Sequence, residues 1–479
     1  MVLNMPDLEA VLAEARAKGA GYADVRYSER LMEGLSVRNG VVEEMASTGD
    51  RGVGVRALFD GAWGFASTDD LSRESLLAAA ERAVGIARAS ARWKHGEGVT
   101  LAPEPVHVDT WRNPVARDPF AVTPEKRIEL LADACARMRS APRVTLAQAQ
   151  VAMWRERKLF ASTEGSRIQQ EITECGAGLT ALARGPSDTQ RRSFSDFGTG
   201  GYEFVENLDL PARAAQLGRE ADALLDAETC PRGPADLVLG ADMIALQIHE
   251  SCGHPIELDR VLGSEATFAG TSFLTLDRRG SFRYGSPAVN ITADATVPGG
   301  LGTFGYDDDG VAAQPTVIMD QGIFKNYLTS RETAARFGER SGGTARAVGW
   351  MNIPLIRMTN VNLMPGDWGL EEIIRDTKRG IFLDTPKSWS LDDKRVNFHF
   401  GCEIGYEIVD GALGAMLKNG AYTALTPDFW GACDAVGNRT HWRVHGTPGC
   451  AKGEPVQVVH CGHGAAPARF RGIRAGVGA

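Results

Sequence analysis

Two histidines and a glutamate stand close together near the middle of the chain, as His249, Glu250 and His254. Imidazole nitrogens are common metal ligands, and a carboxylate next to them can take a proton from water as a general base. The trio therefore predicts hydrolysis that depends on a metal ion, with zinc as the ion that such residues suit. A single histidine is more often a hydrogen-bonded core residue, so the prediction depends on the three occurring together.

The two histidines are five positions apart, whereas the usual zinc-peptidase helix spaces them four apart, on a single helical face. An α-helix turns about 100° per residue, so it would point side chains five apart in directions roughly 140° away from each other. A π-type turn contains one more residue and returns them to the same side. Pro255 cannot donate to the Ser251 carbonyl and Gly253 lets the backbone leave the α conformation, so we predict an irregular or π-type turn over residues 250–255.

The composition is that of an ordinary globular protein, with 479 residues, 43% of them hydrophobic and 24% charged, and this length predicts two domains. A net charge of −9 and the lack of a basic stretch argue against nucleic-acid binding. No apolar run reaches the roughly 20 residues that cross a bilayer, and the first residues do not resemble a signal peptide. The 8 cysteines have no paired spacing, so we expect reduced thiols and a cytoplasmic protein.

The elements that must position the trio begin with a scaffold in the first half of the chain. Hydrophobic periodicity and turn dipeptides predict a helix-plus-antiparallel-sheet unit that is used twice. The first unit comprises a helix over Asp7–Lys18 capped by Asp7, strands over Tyr22–Ser28, Gly34–Arg38 and Gly52–Phe59, turns at Asn39-Gly40 and Asp60-Gly61, and a helix over residues 70–90. The second comprises helices over Pro124–Arg139 and Asp209–Ala227, strands over Arg143–Met153, Arg167–Cys175 and Gly178–Arg184, and a turn near Thr163–Gly165.

The second half of the chain is predicted to carry the site. Residues 228–234 have the composition of a domain linker. A strand over Ala235–Leu239 then leads into the helix of His249. The rest is mainly antiparallel β, apart from helices over Ser330–Gly338 and Leu370–Asp376.

These elements predict an α+β fold with two domains. The N-terminal domain, residues 1–228, is an α+β domain with helices packed on antiparallel sheet. The C-terminal domain, residues 229–479, is mainly antiparallel β and carries the metal-site helix.

The segment His249–Asp259, in which Glu257 and Asp259 follow the HExxxH pattern, resembles the active-site motif of the TldD branch of the TldD/PmbA metallopeptidases. Further stretches match the same family, so the resemblance covers nearly the whole chain. They are Tyr22–Arg26, Gly61–Ser67, Asp308–Gln314, Arg357–Asn360 and Gly446–Lys452. The non-catalytic PmbA/TldE branch lacks the histidine motif, so its presence here points to the catalytic branch.

The resemblance implies a Zn2+ site made of two histidines and one cysteine from the C-terminal tail. His249, His254 and Cys450 are the matching positions, and two imidazoles with a thiolate form a set that zinc accepts. The residues alone leave four rivals open, namely Cys252, Cys461, His460 and His463. We expect the cysteine inside the motif to be a small buried residue, and the two tail histidines to line the site.

The mechanism implied by these parts is hydrolysis of a peptide bond. Zinc lowers the pKa of its bound water, Glu250 takes the proton as the water attacks the carbonyl, and the same residue then protonates the leaving amine. We expect Glu257 or Asp259 to accept a hydrogen bond from a ligand imidazole, with a solvated helix end as the alternative for both.

Two other short patterns carry less weight. Gly300–Gly305 matches the dinucleotide-binding glycine pattern, but no helix is predicted after it and no βαβ unit surrounds it, so we interpret it as a loop. Asp307–Asp309 resembles part of a calcium loop but lacks the other spaced acids and the final glutamate. The family resemblance puts this stretch near the active cleft, with either a role toward substrate or a tight turn.

We therefore predict a zinc metallopeptidase that acts on short or unfolded polypeptides. The resemblance implies an active site enclosed by two subunits, as a homodimer or a heterodimer with a PmbA/TldE-like partner, which admits extended chains and excludes folded proteins. Two other functions stay open: a catalytically silent subunit of such a complex, and a zinc hydrolase of a non-peptide amide. No nucleic-acid or membrane partner is expected.

Overall fold

The N-terminal half is built on a seven-stranded sheet with helices packed on it. The computed structural model describes residues 3–94 and 96–476. The strands of this half are β1 (Tyr22–Arg38), β2 (Val41–Phe59), β3 (Ala62–Thr68), β4 (Val108–Arg112), β5 (Val144–Ser162), β6 (Arg167–Arg184) and β7 (Thr189–Thr199). The helices are α1 (Met5–Ala17), α2 (Arg73–Ala91), α3 (Pro124–Arg139), α4 (Glu203–Glu206) and α5 (Leu210–Leu224).

Two antiparallel meanders, β1-β2-β3 and β5-β6-β7, meet edge to edge in this sheet. β1 pairs with β5 from Asp24 opposite Ser162 to Arg38 opposite Gln148, and β4 adds a parallel strand to the free edge of β6. Helices α1 and α2 cover one meander and α3 and α5 cover the other, each with a separate hydrophobic core. The predicted arrangement of helices and antiparallel strands therefore occurs twice.

Turn chemistry sets the hairpins of the first meander. Asn39 and Gly40 have φ values of 52° and 86°, and Asp60 and Gly61 have values of 45° and 70°. Both turns therefore have the left-handed conformation at their two central residues, which matches strand twist and is favoured by these residue types. The two predicted hairpin turns are confirmed.

The predicted cap of the first helix is wrong. The N-cap is Asn4, whose side chain accepts a hydrogen bond from the Asp7 N–H at 3.2 Å. Asp7 in turn accepts from the Asn4 N–H at 3.0 Å. The aspartate is thus the third residue of a capping box, and the helix begins two residues earlier than predicted.

Two predicted pairs of strands are in fact single strands. The expected break between Tyr22–Ser28 and Gly34–Arg38 lies inside β1, and the one between Arg167–Cys175 and Gly178–Arg184 lies inside β6. Both strands have hydrogen-bonded neighbours on two edges, β2 and β5 for β1, and β5 and β7 for β6. Pairing on both edges keeps a polar or glycine-containing stretch extended. The local sequence pattern does not indicate which strands will pair in this way.

The C-terminal half is mainly antiparallel β, as predicted. Its strands are β8 (Glu228–Thr229), β9 (Gly233–Leu239), β10 (Ile291–Asp294), β11 (Pro315–Asp320), β12 (Ile323–Phe324), β13 (Ala345–Arg346), β14 (Leu355–Ile356), β15 (Val361–Leu363), β16 (Arg379–Leu391), β17 (Asn397–Val409), β18 (Ala412–Lys418), β19 (Ala421–Leu425), β20 (Cys433–Val436), β21 (Arg443–Lys452), β22 (Gln457–Ala465) and β23 (Ala468–Ala475). Its helices are α6 (Ala241–Ile248), α7 (Leu258–Val261), α8 (Arg331–Ala335), α9 (Leu370–Arg375) and α10 (Thr426–Gly431). Among the described residues, no helix has the length and apolarity to span a membrane.

Five of these strands close into a ring. β16 pairs with β9 and with β17, β9 pairs with β23, β23 pairs with β19, and β19 returns to β17. An aromatic cluster packs on the ring and consists of Phe398, Tyr422, Phe429, Trp430 and Phe470. Helix α6 follows directly from β9 and lies against β16 and β22, so the ring holds the helix that precedes the histidine motif.

Residues 228–234 are not an open linker. β8 pairs with β18, and β9 starts at Gly233 and joins the ring. The segment is therefore part of the second large sheet. The domain boundary between residues 228 and 229 stays a prediction.

Candidate metal centre

The predicted trio lies on a widened helical turn. Helix α6 begins after Gly240 and runs into a π-type turn over His249–Gly253. The mark of this turn is the hydrogen bond from the His254 N–H to the His249 carbonyl, which is 3.2 Å long and spans five residues. The two imidazole centroids are 4.9 Å apart. The predicted π-type turn is therefore confirmed, and it brings the two histidines to one side.

Pro255 and Gly253 shape this turn in different ways. Because Pro255 has no N–H, the Ser251 carbonyl lacks its helical donor, and the Tyr284 hydroxyl donates to it at 2.9 Å instead. Gly253 is not among the residues with positive φ, and a Cβ there would lie 2.1 Å from the sulfur of Met358. The glycine is therefore required by close packing, whereas the sequence had suggested backbone freedom.

The hairpin of β21 and β22 brings the third expected ligand to the turn. Cys450 follows a bulge after Thr447, and its Sγ atom is 3.8 Å from His254 Nε2. His249, His254 and Cys450 each offer one donor atom, and these atoms all lie within 4.8 Å of one another. The three side chains are buried. The structure thus brings together the three positions that the family resemblance suggested.

A second group of possible donors gathers around Nδ1 of His249. This atom is 2.8 Å from His463 Nε2 and 3.8 Å from Cys461 Sγ, and the last two atoms are 3.7 Å apart. Two nitrogens bound to one tetrahedral zinc at the usual distances would be about 3.3 Å apart. The 2.8 Å separation therefore fits a hydrogen bond between the two rings better than a shared ion.

Hydrogen bonds determine which nitrogen of His249 is free. His463 Nδ1 is 3.3 Å from the Val361 carbonyl, and a carbonyl only accepts, so this nitrogen carries the hydrogen. His463 Nε2 is then the acceptor in the bond between the rings, and His249 Nδ1 is the donor. The Nε2 atom of His249 keeps its lone pair for a metal ion.

A hydrogen bond also leaves the Nε2 atom of His254 free. Its Nδ1 is 3.1 Å from the Glu257 carboxylate, so its Nε2 is free and faces Cys450. Two imidazole Nε2 atoms and one thiolate make a donor set that zinc accepts, and three protein ligands would leave its fourth position for water or substrate. The residues present therefore fit the ion, and they favour the set with Cys450 over the set with Cys461.

The thiolate that a metal requires is favoured at Cys450. A hydrogen bond from Cys461 lowers the pKa of the Cys450 thiol well below its ordinary value, and with His249 and His254 nearby it outweighs the opposing effect of burial. The pKa of Cys461 rises well above its ordinary value because it donates to that thiolate and is buried. The pair therefore contains one thiolate and one thiol, and Cys461 serves as the donor.

Glu257 and Asp259 have different partners. The oxygen of Glu257 that meets His254 is also 3.2 Å from Arg260 Nε and 3.5 Å from Lys452 Nζ, in a fully buried position. Burial alone would raise the pKa of Glu257, but Lys452 and His254 lower it, so the carboxylate is ionised. Asp259 instead accepts from Lys452 at 2.7 Å. The predicted hydrogen bond to the imidazole is confirmed for Glu257, and the solvated helix end is wrong for this residue.

Cys252 and His460 lie outside the group of donors. Cys252 is fully buried in the core, and burial raises the pKa of its thiol to about 12, as expected for a small buried residue. The His460 ring lies 4.7 Å from that of Trp154, and its Nδ1 is 2.7 Å from the Glu174 carboxylate. His460 therefore lines a cleft between the two halves of the chain.

The acidic stretch Asp307–Asp309 forms a tight turn between the two halves. Asp308 is 2.6 Å from Lys158 Nζ, and Asp309 is 2.8 Å from Arg56 Nη2. The Asp307 carboxylate accepts from backbone amides of the turn. These oxygens have protein partners, which argues against a calcium loop. Gly300–Gly305 is a loop as predicted.

Glu250, the expected base, pairs with a residue that sequence reasoning missed. It is only 7% exposed, and one of its oxygens accepts from the Arg395 guanidinium. No role was predicted for Lys452 or Tyr284 either. Lys452 stands two positions after Cys450, a closeness that could have identified it. Arg395 is 145 positions from Glu250, and no local pattern points to it.

Three family profiles match successive parts of the chain. The profile described as PmbA/TldA metallopeptidase domain 1 matches residues 23–87, and the central domain matches residues 117–225. The profile described as the C-terminal domain matches residues 232–462. That last range contains the histidine motif and Cys450.

Curated relatives match over most of the chain. A metalloprotease of Methanocaldococcus jannaschii is 31% identical over 441 residues, which is 91% of this chain and 92% of the relative. A metalloprotease TldD homolog of Haemophilus influenzae is 29% identical and covers 83% of this chain and 81% of its own length. A zinc metalloprotease TldD homolog of Saccharolobus solfataricus is 23% identical, with 85% and 87% covered.

Two solved structures share the fold. A candidate modulator of DNA gyrase from Thermotoga maritima superposes with a TM-score of 0.80 at 18% identity, over 98% of this chain and 99% of that one. TldE from Thermococcus kodakarensis has a TM-score of 0.76 at 17% identity, over the same shares. At such identities the likeness establishes the architecture alone.

Proposed function

The chain belongs to the PmbA/TldD metallopeptidase family, and from this membership we propose that it is a zinc-dependent peptidase acting on short or unfolded polypeptides. The observation that carries the proposal is the convergence of donor atoms from His249, His254 and Cys450 within 4.8 Å, next to the buried carboxylate of Glu250. The metalloprotease names of the relatives support it.

In this proposal the metal ligands are Nε2 of His249, Nε2 of His254 and the thiolate of Cys450. The donor set and the zinc named in the Saccharolobus solfataricus relative support the choice of Zn2+. When bound, the ion supplies Lewis acidity toward a carbonyl and lowers the pKa of a water molecule toward neutrality.

The side chains of this chain then have separate tasks. Glu250 takes the proton from the attacking water and returns it to the leaving amine. Glu257 holds the ring of His254 and His463 holds the ring of His249, so that both Nε2 atoms stay directed away from these partners. Burial of the whole group keeps the water that reacts separate from bulk solvent.

We further propose that the active unit contains two subunits, either two copies of this chain or one copy with a PmbA/TldE-like partner. The shared fold with TldE supports a relationship of this kind. All eight cysteines are buried and free of disulfide bonds, which fits the reducing conditions of a cytoplasm.

Zinc content per chain tests the assignment of ligands and base separately. The wild type and Glu250→Ala should each hold about one ion, whereas His249→Ala and Cys450→Ala should lose it. Glu250→Ala should also lose hydrolysis of an unfolded protein. Cys433→Ala, which removes another buried thiol of the same domain, is the matched control and should keep both.

Two results would redirect the proposal. A wild type that binds no zinc, even after the ion is supplied, would instead be a silent subunit of a complex. A zinc-loaded wild type that cleaves non-peptide amides but no peptide would be a hydrolase of another bond.

A further inference from the structure

Arg395 stands beside the expected base, on the loop between β16 and β17. Its guanidinium Nη1 donates to the Glu250 carboxylate. Its side chain is 15% exposed and that of the glutamate is 9% exposed, so both members of the pair are largely buried. The pair joins a loop of one hairpin to the turn that carries both histidines.

The loop holds Arg395 in a conformation that its residue type rarely adopts. Its φ value is 64°, in the left-handed region, where arginine is strained. Its N–H donates to the Asp392 carbonyl at 2.9 Å, and its own carbonyl accepts from the Thr426 hydroxyl at 2.9 Å. The Asp392 carboxylate also accepts from the Val396 N–H at 2.7 Å. Such strain, fixed by surrounding bonds, is concentrated at functional sites in proteins.

A second segment fixes the tip of the same loop. The Thr271 N–H donates to the Asp393 carbonyl at 2.9 Å, and the Phe273 N–H donates to the Lys394 carbonyl at 3.0 Å. Gly270 has a φ of 77°, and a Cβ there would lie 2.2 Å from the Asp393 carbonyl oxygen. The backbone of the loop is therefore bonded on two sides, and the guanidinium at the end of the side chain is held by its bond to Glu250.

The bonding of Arg395 differs from that of a purely structural arginine. Arg357, which is fully buried in the same domain, donates to the carbonyls of Gln457 and Cys450. Among residues 3–94 and 96–476, the only hydrogen-bond acceptor found for the Arg395 guanidinium is Glu250. A guanidinium has five N–H groups, so most of them remain available to a further acceptor.

We propose that Arg395 is a catalytic residue that binds the carbonyl oxygen of the scissile peptide, a role that rests on the peptidase function proposed above. In the hydrolytic step the water oxygen bonds to the carbonyl carbon, the proton of the water passes to Glu250, and the π electron pair of the C=O bond moves onto the carbonyl oxygen. Negative charge thereby leaves the glutamate and forms on that oxygen. A fixed guanidinium that touches the carboxylate and has free N–H groups stabilises the charge in its new place.

The test uses the zinc-loaded protein and three variants: Arg395→Met, Arg395→Lys and Lys394→Met. Lys394→Met removes one positive charge from the same loop, at an exposed side chain, and is the matched control. The probes are a short peptide and its analogue in which a phosphonate replaces one peptide carbonyl, so that it has the tetrahedral shape and charge of the intermediate. Calorimetry measures phosphonate binding, hydrolysis of the peptide gives kcat and KM, and elemental analysis gives the zinc content.

Arg395→Met should weaken phosphonate binding and lower kcat, each by about 100-fold, as loss of one oxyanion donor does in other enzymes. KM and the zinc content should change little. The kcat and phosphonate affinity of Arg395→Lys should lie between those of Arg395→Met and the wild type, because lysine keeps the charge but lacks the several N–H donors of a guanidinium. The kcat, phosphonate affinity and zinc content of Lys394→Met should equal those of the wild type.

The outcomes separate this proposal from the peptidase assignment. If Arg395→Met cleaves the peptide at the wild-type kcat and binds the phosphonate equally well, the role of Arg395 is wrong and the peptidase function stands. Equal losses of phosphonate affinity and zinc content would also overturn it, since they indicate a structural role. If the wild type cleaves no peptide but Arg395→Met loses phosphonate binding alone, anion binding by Arg395 stands and the peptidase function fails.

Discussion

His463 influences the metal centre through the ring of His249. Its hydrogen bonds to the Val361 carbonyl and to His249 Nδ1 make a chain in which each imidazole has one defined protonated nitrogen. Such a partner fixes the orientation of a ligand ring and raises its basicity. In the proposed zinc site His463 therefore contributes to the affinity for the ion, although this residue is not itself assigned as a ligand.

Replacing His463 should weaken zinc binding without abolishing it. We expect His463→Phe to lower the affinity by roughly 10–100-fold, because the His249 ring loses the acceptor that orients it. His463→Gln should recover part of the loss, since an amide oxygen can accept the same hydrogen. Competition with a coloured chelator measures the affinity.

His460→Phe is the control for that series, because this histidine lies on the same strand but faces Glu174. Its zinc affinity should equal that of the wild type. An unchanged affinity in His463→Phe would contradict the role assigned to the ring pair.

At the scale of single residues, prediction succeeded where a side chain and its partner are close in sequence. The shared side of His249 and His254 was predicted from their spacing together with Gly253 and Pro255, and Glu257 is only three residues from the ring that it contacts. Arg395 could not be found in this way, because its loop meets the turn only after the ring of strands has formed.

The π-type turn is stabilised by polar side chains from distant elements. The Ser251 hydroxyl accepts from Trp430 Nε1 at 2.9 Å, and Gln247 Oε1 accepts from the Tyr422 hydroxyl at 2.9 Å. The Tyr284 hydroxyl completes the set by bonding the carbonyl that Pro255 leaves free. The wide turn is thus held by donors placed around it, and the donor from Tyr284 satisfies a carbonyl that a regular helix would pair internally.

Tyr284→Phe tests this account of the turn. The buried Ser251 carbonyl would lose its donor, and we expect the free energy of unfolding to fall by about 1–3 kcal/mol. Retention of zinc during dialysis against a chelator should fall as well, because the turn carries both histidines. Chemical denaturation of the metal-free protein and zinc analysis give the two values.

Tyr327→Phe is the matched control, since it removes a buried hydroxyl that donates to the Leu274 carbonyl at 2.9 Å. It should lose a similar amount of stability and keep the zinc of the wild type. Equal loss of zinc in both variants would show that the turn has no special dependence on Tyr284.

Elements were predictable where local chemistry defines their ends. The Asn39-Gly40 turn and the helix over Pro124–Arg139 follow from such signals, and both agree with the structure. The predicted lengths of β1 and β6 were too short, because pairing on two edges extends a strand through residues that do not favour the extended conformation. Ring closure could not be predicted either, as it depends on which distant strands meet.

Across the whole molecule, buried ion pairs link the two halves. Asp308, from the C-terminal half, is 2.6 Å from Lys158 of β5 and 4.0 Å from Arg26 of β1. Burial would raise the pKa of Asp308, but these two cations outweigh it and lower the pKa below its ordinary value. The carboxylate therefore stabilises the association of the halves while it is ionised.

This ion pair should make stability depend on pH in a defined direction. The pKa of Asp308 is lower in the folded state than the unfolded value of about 3.9, so its contribution is complete above that value and is lost as the pH falls through the folded pKa. Asp308→Asn should lower the free energy of unfolding at pH 7 by about 3–5 kcal/mol, because the buried Arg26 and the partly buried Lys158 lose their partner. The variant should also lose less stability than the wild type on acidification.

Denaturation at pH 7 and at pH 3 measures both effects. Asp320→Asn is the control, because Asp320 forms an exposed pair with Lys325 at 3.9 Å. It should change stability little at either pH. If Asp308→Asn behaves as this control does, the link between the halves does not depend on the carboxylate.

The closed ring of strands also sets an order of events during synthesis. β23 enters the ring between β9 and β19, and it follows every other member in the chain. On the ribosome the N-terminal sheet can fold first, while the hairpin with Cys450 and the closing strand emerge much later. Until then the two histidines lack Cys450, so the site proposed for zinc is completed only after this hairpin has emerged.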